Sequence, residues 1–206
     1  MEKVVIIGAG GHAKVIIDIL QQNGDCDIVG MLDKKKGDGF WGIPVIGTDD
    51  DLPRLFEEGV RCAFVALGSN SLRKEISAKA VEIGYQMINA LSSKATISAR
   101  SKLGQGIAVM PGAVINADTV IDDGCIINTN ASIDHDCHIG PYVHIAPGTN
   151  IAGSVTVGEE TFIGVGSRII DGVTIGSKVI VGAGTVVLHF VDKCCTVVGS
   201  PARKIK

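Results

Sequence analysis

Aromatic rings are almost missing from this chain: one Trp, two Tyr and five Phe stand among 206 residues. A core built around large rings is excluded, so the apolar 46% must pack as small and branched aliphatic side chains. No apolar run approaches the roughly 20 residues of a membrane-spanning helix. Met1-Glu2-Lys3 leads straight into Val4 to Ile7, without the long apolar stretch and small-residue cleavage site of a signal peptide, so a cytoplasmic location is expected. An excess of one charge is missing too. Nineteen basic and 22 acidic residues leave a net charge of -3, which gives no footprint for nucleic acid or an anionic membrane. The six cysteines contain no Cys-x-x-Cys, and the adjacent Cys194 and Cys195 suit neither zinc nor a relaxed disulfide. Reduced thiols are expected.

What is abundant is Ile (27), Val (23) and Gly (27), a bias toward strands punctuated by tight turns. From residue 97 to residue 187, every sixth position is Ile, Leu or Val, sixteen in all. With those types at about 0.3 of the segment, chance would give this on the order of once in 10⁸. Four residues after each comes a small or β-branched residue, as at Ala113, Thr119, Cys125, Ala131, Cys137, Thr149 and Ser167. Six residues are too few for a helix and its connection, but they fit a short parallel strand and a turn, with the first and fifth positions inward. This is the hexapeptide pattern of a parallel β-helix. Three hexads close a triangular coil, so residues n and n+18 stack, and 97–192 make about five coils with no projecting loop. Cys125 and Cys137 then fill the core.

Residues 1–92 have another rhythm. Strands are expected at Val4 to Ile7, Ile28 to Leu32, Pro44 to Ile46, Arg61 to Leu67 and Tyr85 to Ile88. Helices are expected over Ala13 to Gln22, with Val15, Ile16, Ile19 and Leu20 inward, Thr48 to Glu58 and Ser71 to Ile83. Alternation of the two means a small Rossmann-like parallel α/β sheet. The boundary is expected between Asn89 and Thr96, giving domains 1–92 and 93–206. Gly8-Ala9-Gly10-Gly11-His12-Ala13 fits the Gly-x-Gly-x-x-Gly/Ala pattern after a strand and before a helix, and Asp33 ends the next strand. Such glycines let backbone N-H groups approach a diphosphate. Ninety residues are only about half of a full dinucleotide fold, so a nucleotide-linked ligand is favoured over NAD, with a plain tight turn as the other reading. Lys34 to Lys36 either steer phosphate or form a solvated loop.

Among the histidines, His135, His138 and His144 fall within ten residues, but their spacing does not favour a metal site, and none is expected. His135 holds the third position of its hexad, an outward corner where packing calls for no imidazole. Gly153 stacks above it by the eighteen-residue rule, offering space and a free N-H. A base beside a donor is what acyl transfer needs. His144 is half a coil from His135, so the two can share a site only if neighbouring subunits supply them. His138 and His189 read as surface residues.

These features resemble a family, the hexapeptide acyltransferases of bacterial nucleotide-sugar pathways. It includes bacillosamine and perosamine N-acetyltransferases and sialic acid O-acetyltransferases, and the likeness looks closest to the perosamine type. The resemblance covers essentially the whole chain. It rests on Gly8 to Lys14, Ile127-Asn128-Thr129, Asp134-His135-Asp136-Cys137, Ala152-Gly153 and Gly199-Ser200-Pro201-Ala202. It implies a left-handed β-helix following the α/β domain, a homotrimer with sites between prisms, and acetyl-CoA as cosubstrate. It implies that His135 is the general base and that Asp136, where many members have Glu, holds or polarises it. It further implies that His144 and Gly153 contact the thioester, that Val165 and Ala183 line the coenzyme A groove, and that Gly8, Gly10, Gly11, His12 and Asp33 meet a nucleotide-linked aminosugar. Acetylation of a sugar hydroxyl and a non-catalytic nucleotide-sugar scaffold are the alternatives.

Overall fold

The apolar run near the start becomes the middle of a sheet, because Val4, Val5 and Ile6 have no exposed surface on either face. The computed structural model describes residues 1–34 and 37–206, which divide into two units, Met1–Ala90 and Leu91–Lys206. In the first unit, strands β1 (Glu2–Ile7), β2 (Cys26–Leu32), β3 (Val45–Gly47), β4 (Cys62–Val65) and β5 (Gln86–Met87) form a parallel sheet of order β3-β2-β1-β4-β5. The chain runs outward from β1 to β3 and then crosses back to β4. The switch point therefore lies beyond the C-terminal ends of β1 and β4, where open α/β sheets bind ligands.

Helix α1 (Gly11–Asn23) buries Ala13, Ile16, Ile17, Ile19 and Leu20. Val15, expected inward, is instead 36% exposed, because the buried stripe centres on Ile16, Ile17 and Leu20. Gly24 ends α1 in the left-handed region and donates its N-H to Leu20 O. The helix expected over 48–58 appears as a 3-10 turn, Asp49–Asp51, followed by α2 (Leu52–Glu57). The Asp51 carboxylate accepts the Thr48 N-H at 2.9 Å, and Pro53 stands in the first turn of α2, where its missing N-H is harmless. Helix α3 (Asn70–Ile83) runs between β4 and β5.

The second unit consists of two-residue parallel strands stacked in three sheets. Val114 pairs with Ser132 and Ser132 with Asn150, so each strand meets its successor eighteen residues on. The sixth-residue positions from Val109 to Val187 are all buried, and so are the fifth positions from Ile107 to Val191. Every sixth residue from 106 to 184 has φ between 55 and 74°. Seven of those fourteen are Gly and three are Asp or Asn, the types that enter the left-handed region most cheaply.

Most fifth-position hydroxyls and thiols before Thr185 share one repeated device, a bond to the carbonyl fifteen residues on: Cys125 to Gly140, Thr149 to Gly164, Thr161 to Gly176 and Ser167 to Gly182. The stack opens at Leu91, one hexad before the expected start, with the Ser92 N-H donating to Val109 O. It closes on a shortened coil: Ile180 pairs with Thr196, sixteen residues on, and Arg203–Lys204 turns back antiparallel to Val197–Val198.

Candidate active site

The corner that carries His135 is built by this repeat. Asp136 takes the left-handed position of its turn at φ 57° and donates its N-H to Ala117 O in the preceding coil. Its carboxylate thereby reaches back to the imidazole, with Oδ2 2.8 Å from His135 Nδ1. A carboxylate only accepts, so Nδ1 carries the proton and Nε2 keeps its lone pair. The bond to Asp136, with the nearby Asp134 carboxylate, raises the His135 pKa above the ordinary value.

In the next coil, Ser154 donates its N-H to His135 O at 2.9 Å, which brings Gly153 directly over the imidazole. A Cβ at Gly153 would lie 2.6 Å from His135 Cε1 and 2.8 Å from Nε2. Only glycine leaves the ring its place, and no hydrogen bond among the described residues uses the Gly153 N-H.

His144 opens the strand His144–Ile145, on another face of the prism from the His135 corner. Asn128 Oδ1 accepts the Thr129 N-H at 2.8 Å, which turns its Nδ2 toward His144 Nε2 at 3.1 Å. An amide nitrogen donates, so Nε2 accepts and the His144 proton is on Nδ1. Phe162 stacks edge-on against the same ring, its centroid 5.1 Å away. Val165 and Ala183 stack one coil apart on a third line, exposed at the corner between the sheets containing Phe162 and Arg168. One chain therefore does not bring His135, His144 and Val165 together. His138 stands apart as well, paired with Asp122 at 2.8 Å.

In the first unit, Gly8 has φ 108°, and a Cβ there would meet Ala66 O at 2.9 Å. Gly10 caps α1 and Gly11 begins it, and a Cβ on either meets nothing within 4 Å. Asp33 accepts the Ala9 N-H at 2.8 Å, so the acid that ends β2 clasps the glycine loop. Gly8, Asp33 and Lys34 border a cavity of about 180 Å³ whose walls include Leu32, Leu67, Leu72 and Ile76, with Asp49 at its side. Lys35 and Lys36 lie outside the described residues. His12 Nε2 is buried with no hydrogen-bond partner among the described residues, and burial together with the Arg73 guanidinium lowers its pKa to about 4. Arg73, 1% exposed, donates to Leu67 O at 3.0 Å and to Asn70 Oδ1 at 2.9 Å.

Comparison with known proteins bears directly on these two half-sites. Residues 3–80 match the PglD N-terminal domain, 118–153 the bacterial transferase hexapeptide (six repeats), and 154–189 the hexapeptide repeat of succinyl-transferase. PerB from Caulobacter crescentus, crystallised with CoA and GDP-perosamine, is 44% identical, with a TM-score of 0.95 over 100% of this chain and 98% of that one. The acetyltransferase domain of PglB from Neisseria gonorrhoeae is 36% identical, with a TM-score of 0.95 and full coverage of both. The chain belongs to this family of hexapeptide-repeat sugar N-acetyltransferases. UDP-N-acetylbacillosamine N-acetyltransferase of Bacillus subtilis is 35% identical over 116 residues. The chain spans about half the length, or less, of the curated relatives it matches. As the family implies, the coils form a left-handed β-helix.

Three residues that belong to these surroundings were not singled out from the sequence as site residues. Asn128 was visible only as part of a family motif, and its bond to His144 needed the eighteen-residue ladder to be combined with a side-chain direction. Arg73 and Asp49 carry no signal in the sequence, because only the folded sheet brings Asp49 to the cavity of Gly8 and Asp33 and sets Arg73 near His12.

Proposed function

We propose that this protein transfers the acetyl group of acetyl-CoA to the amino group of a nucleotide-linked aminosugar, by direct attack and without a covalent enzyme intermediate. The observation that carries the reading is the imidazole of His135, tethered through Nδ1 to Asp136 and lying under Gly153. As the amine nitrogen bonds to the thioester carbonyl carbon, His135 Nε2 takes the amine proton and the Gly153 N-H stabilises the oxyanion. Collapse breaks the carbon–sulfur bond, and the imidazolium returns its proton to the departing thiolate. The products are an N-acetylated sugar and coenzyme A.

The donor is assigned to the prism, with His144, Gly153, Val165 and Ala183 as its contacts. The acceptor is assigned to the first unit, with Gly8, Gly10, Gly11, His12 and Asp33 around its nucleotide. His12, neutral at working pH, offers the diphosphate a hydrogen bond without a charge that titrates. PerB was crystallised with CoA and GDP-perosamine and PglB with acetyl coenzyme A, which supports a coenzyme A thioester and a nucleotide-linked aminosugar as the two ligands. The different faces that hold His135 and His144 support a homotrimer whose sites lie between prisms. We place the enzyme in the cytoplasm; no helix among the described residues is long and apolar enough to cross a membrane.

Mass spectrometry after mixing the protein with acetyl-CoA and a panel of nucleotide-linked aminosugars tests the reading. Gain of one acetyl group on an amine is expected, and acetylation confined to hydroxyls, or none at all, would overturn it. Mixed trimers of His135→Ala and His144→Ala chains should regain activity that neither parent has. No recovery in verified mixed trimers would rule out the shared site.

A further inference from the structure

The turn of residues 134–137 is gripped from two sides, and one grip is not repeated in the later coils of its column. From the core, Thr119 donates its hydroxyl to Asp134 O at 2.6 Å and accepts the Cys137 N-H at 3.1 Å. The same inner grip recurs at Thr161, which bonds Gly176 O and the Val179 N-H, so it is a device of the fold. From outside, Asp134 Oδ1 accepts the His135 N-H at 2.9 Å and the amide Nδ2 of Asn116, one coil back, also at 2.9 Å. In later coils the column of Asp134 continues as Ala152, Ile170 and Leu188, none of which can do this.

We propose that Asp134, held by Asn116, is a positioning residue for His135: it fixes the turn that aims the imidazole and supplies a second carboxylate beside it. His135 is more than half exposed, so its direction depends strongly on the backbone at its own N-H and on Asp136 at Nδ1. The charged groups around this corner are Asp134 and Asp136 in its own turn, Asp118 in the preceding coil and Asp171 two coils on. The intervening coil contributes the uncharged Ala152, Gly153 and Ser154. The amide of Asn116, followed by the His135 N-H, keeps the Asp134 carboxyl below the usual range, so it is ionised wherever the enzyme works.

Three variants separate shape from charge. Asp134→Ala removes both, and should lower kcat about 10-fold while the KM for acetyl-CoA stays within about two-fold. Asp134→Asn keeps an acceptor oxygen in place and should recover most of kcat. Because the carboxylate is gone, the acid limb of its kcat/KM profile should still move to lower pH. Asn116→Ala should lower kcat less than Asp134→Ala does. Thermal unfolding of each variant checks that the prism is intact. Wild-type kcat in Asp134→Ala overturns the proposal, as does an Asp134→Asn enzyme no better than Asp134→Ala or one whose acid limb stays put. The proposal rests on His135 as the base. Wild-type turnover in His135→Ala would remove that reading, whereas a crippled His135→Ala beside an unaffected Asp134→Ala would remove this one alone.

Discussion

The two units of this chain build sites by opposite means. In the prism each residue stacks on the residues eighteen before and after it, so the neighbours of a side chain follow from counting. Ala117, His135 and Gly153 form one such column. In the α/β unit the candidate site gathers Gly8, Asp33, Leu67 and Leu72 from four loops and helices, and only the order of the strands puts them together. A repeat with one local rule exposes an exception such as an outward corner histidine, whereas a sheet with crossovers hides its site in long-range topology.

The hardest blow to the prism half should come from His135→Ala, with kcat lowered about 10² to 10⁴-fold and acetyl-CoA affinity nearly unchanged. The deficit should shrink as pH rises through the pKa of the acceptor amine, because an amine already neutral needs the base less. A hydroxyl acceptor would show no such recovery over that range. Steady-state kinetics across pH decides, and near wild-type turnover would remove His135 from the mechanism.

Gly153→Ala tests the column itself. The added Cβ would stand 2.6 Å from His135 Cε1, so the exposed ring must swing away. Displacement of about 1 Å costs on the order of 10² in rate. An undiminished kcat would mean that the imidazole works from some other orientation.

The same contrast explains how much could be read beforehand. Ile, Leu or Val at every sixth position forced the coils, their register and the burial of Cys125 and Cys137, because no other packing uses that period. The left-handed position of Asp136 follows from the turn that each hexad requires, though its reach to His135 Nδ1 depends on a rotamer. Three things escaped the periodic reading. The stack starts at Leu91, which is on phase but was assigned to the boundary. The last coil is two residues short, a change of register that a count ending at Val187 cannot reveal. In the first unit the elements were legible from alternation and glycine stops, but the cavity beside Gly8 was not, since Leu67, Leu72 and Ile76 look like ordinary core residues in sequence.

Glycines in the opening loop can sharpen the α/β half, because the fold needs one and tolerates change at the other. Gly8→Val forces a β-branched residue into φ 108° against Ala66 O and should unfold the first unit at lower temperature. Gly10 has φ -90° and open space around its missing Cβ. Gly10→Val should therefore keep the melting temperature while raising the KM for the nucleotide sugar about 10-fold or more, since only the approach of the diphosphate is blocked. An unchanged KM in a folded Gly10→Val protein would take the acceptor away from this loop.

A smaller effect is expected from Asp136→Asn. Its carboxylate is the main cause of the raised His135 pKa, and the base works only when neutral, so kcat/KM falls as pH drops through that pKa. Removing the charge lowers the pKa, and the acid limb should move toward lower pH. The plateau should fall as well, because a weaker base takes the proton less readily. A limb that moves upward, or not at all, would assign the ionisation to another group.

The smallest change compares two threonines inside the prism. Thr161 Oγ1 bonds Gly176 O and the Val179 N-H, whereas Thr185 Oγ1 is buried with no partner among the described residues, because residue 200, fifteen on, has already left the coil. Valine has nearly the shape of threonine, so each substitution removes a hydroxyl and little else. Thr161→Val should destabilise by about 1 to 2 kcal/mol, as two buried hydrogen bonds are lost. Thr185→Val should stabilise by about 1 kcal/mol, since an unsatisfied hydroxyl leaves the core, and melting should rise by roughly 2 to 4 °C. Activity should change in neither, because both side chains point away from the His135 corner. Equal losses of stability in the two variants would mean that Thr185 has found a partner, and that the shortened last coil satisfies its interior after all.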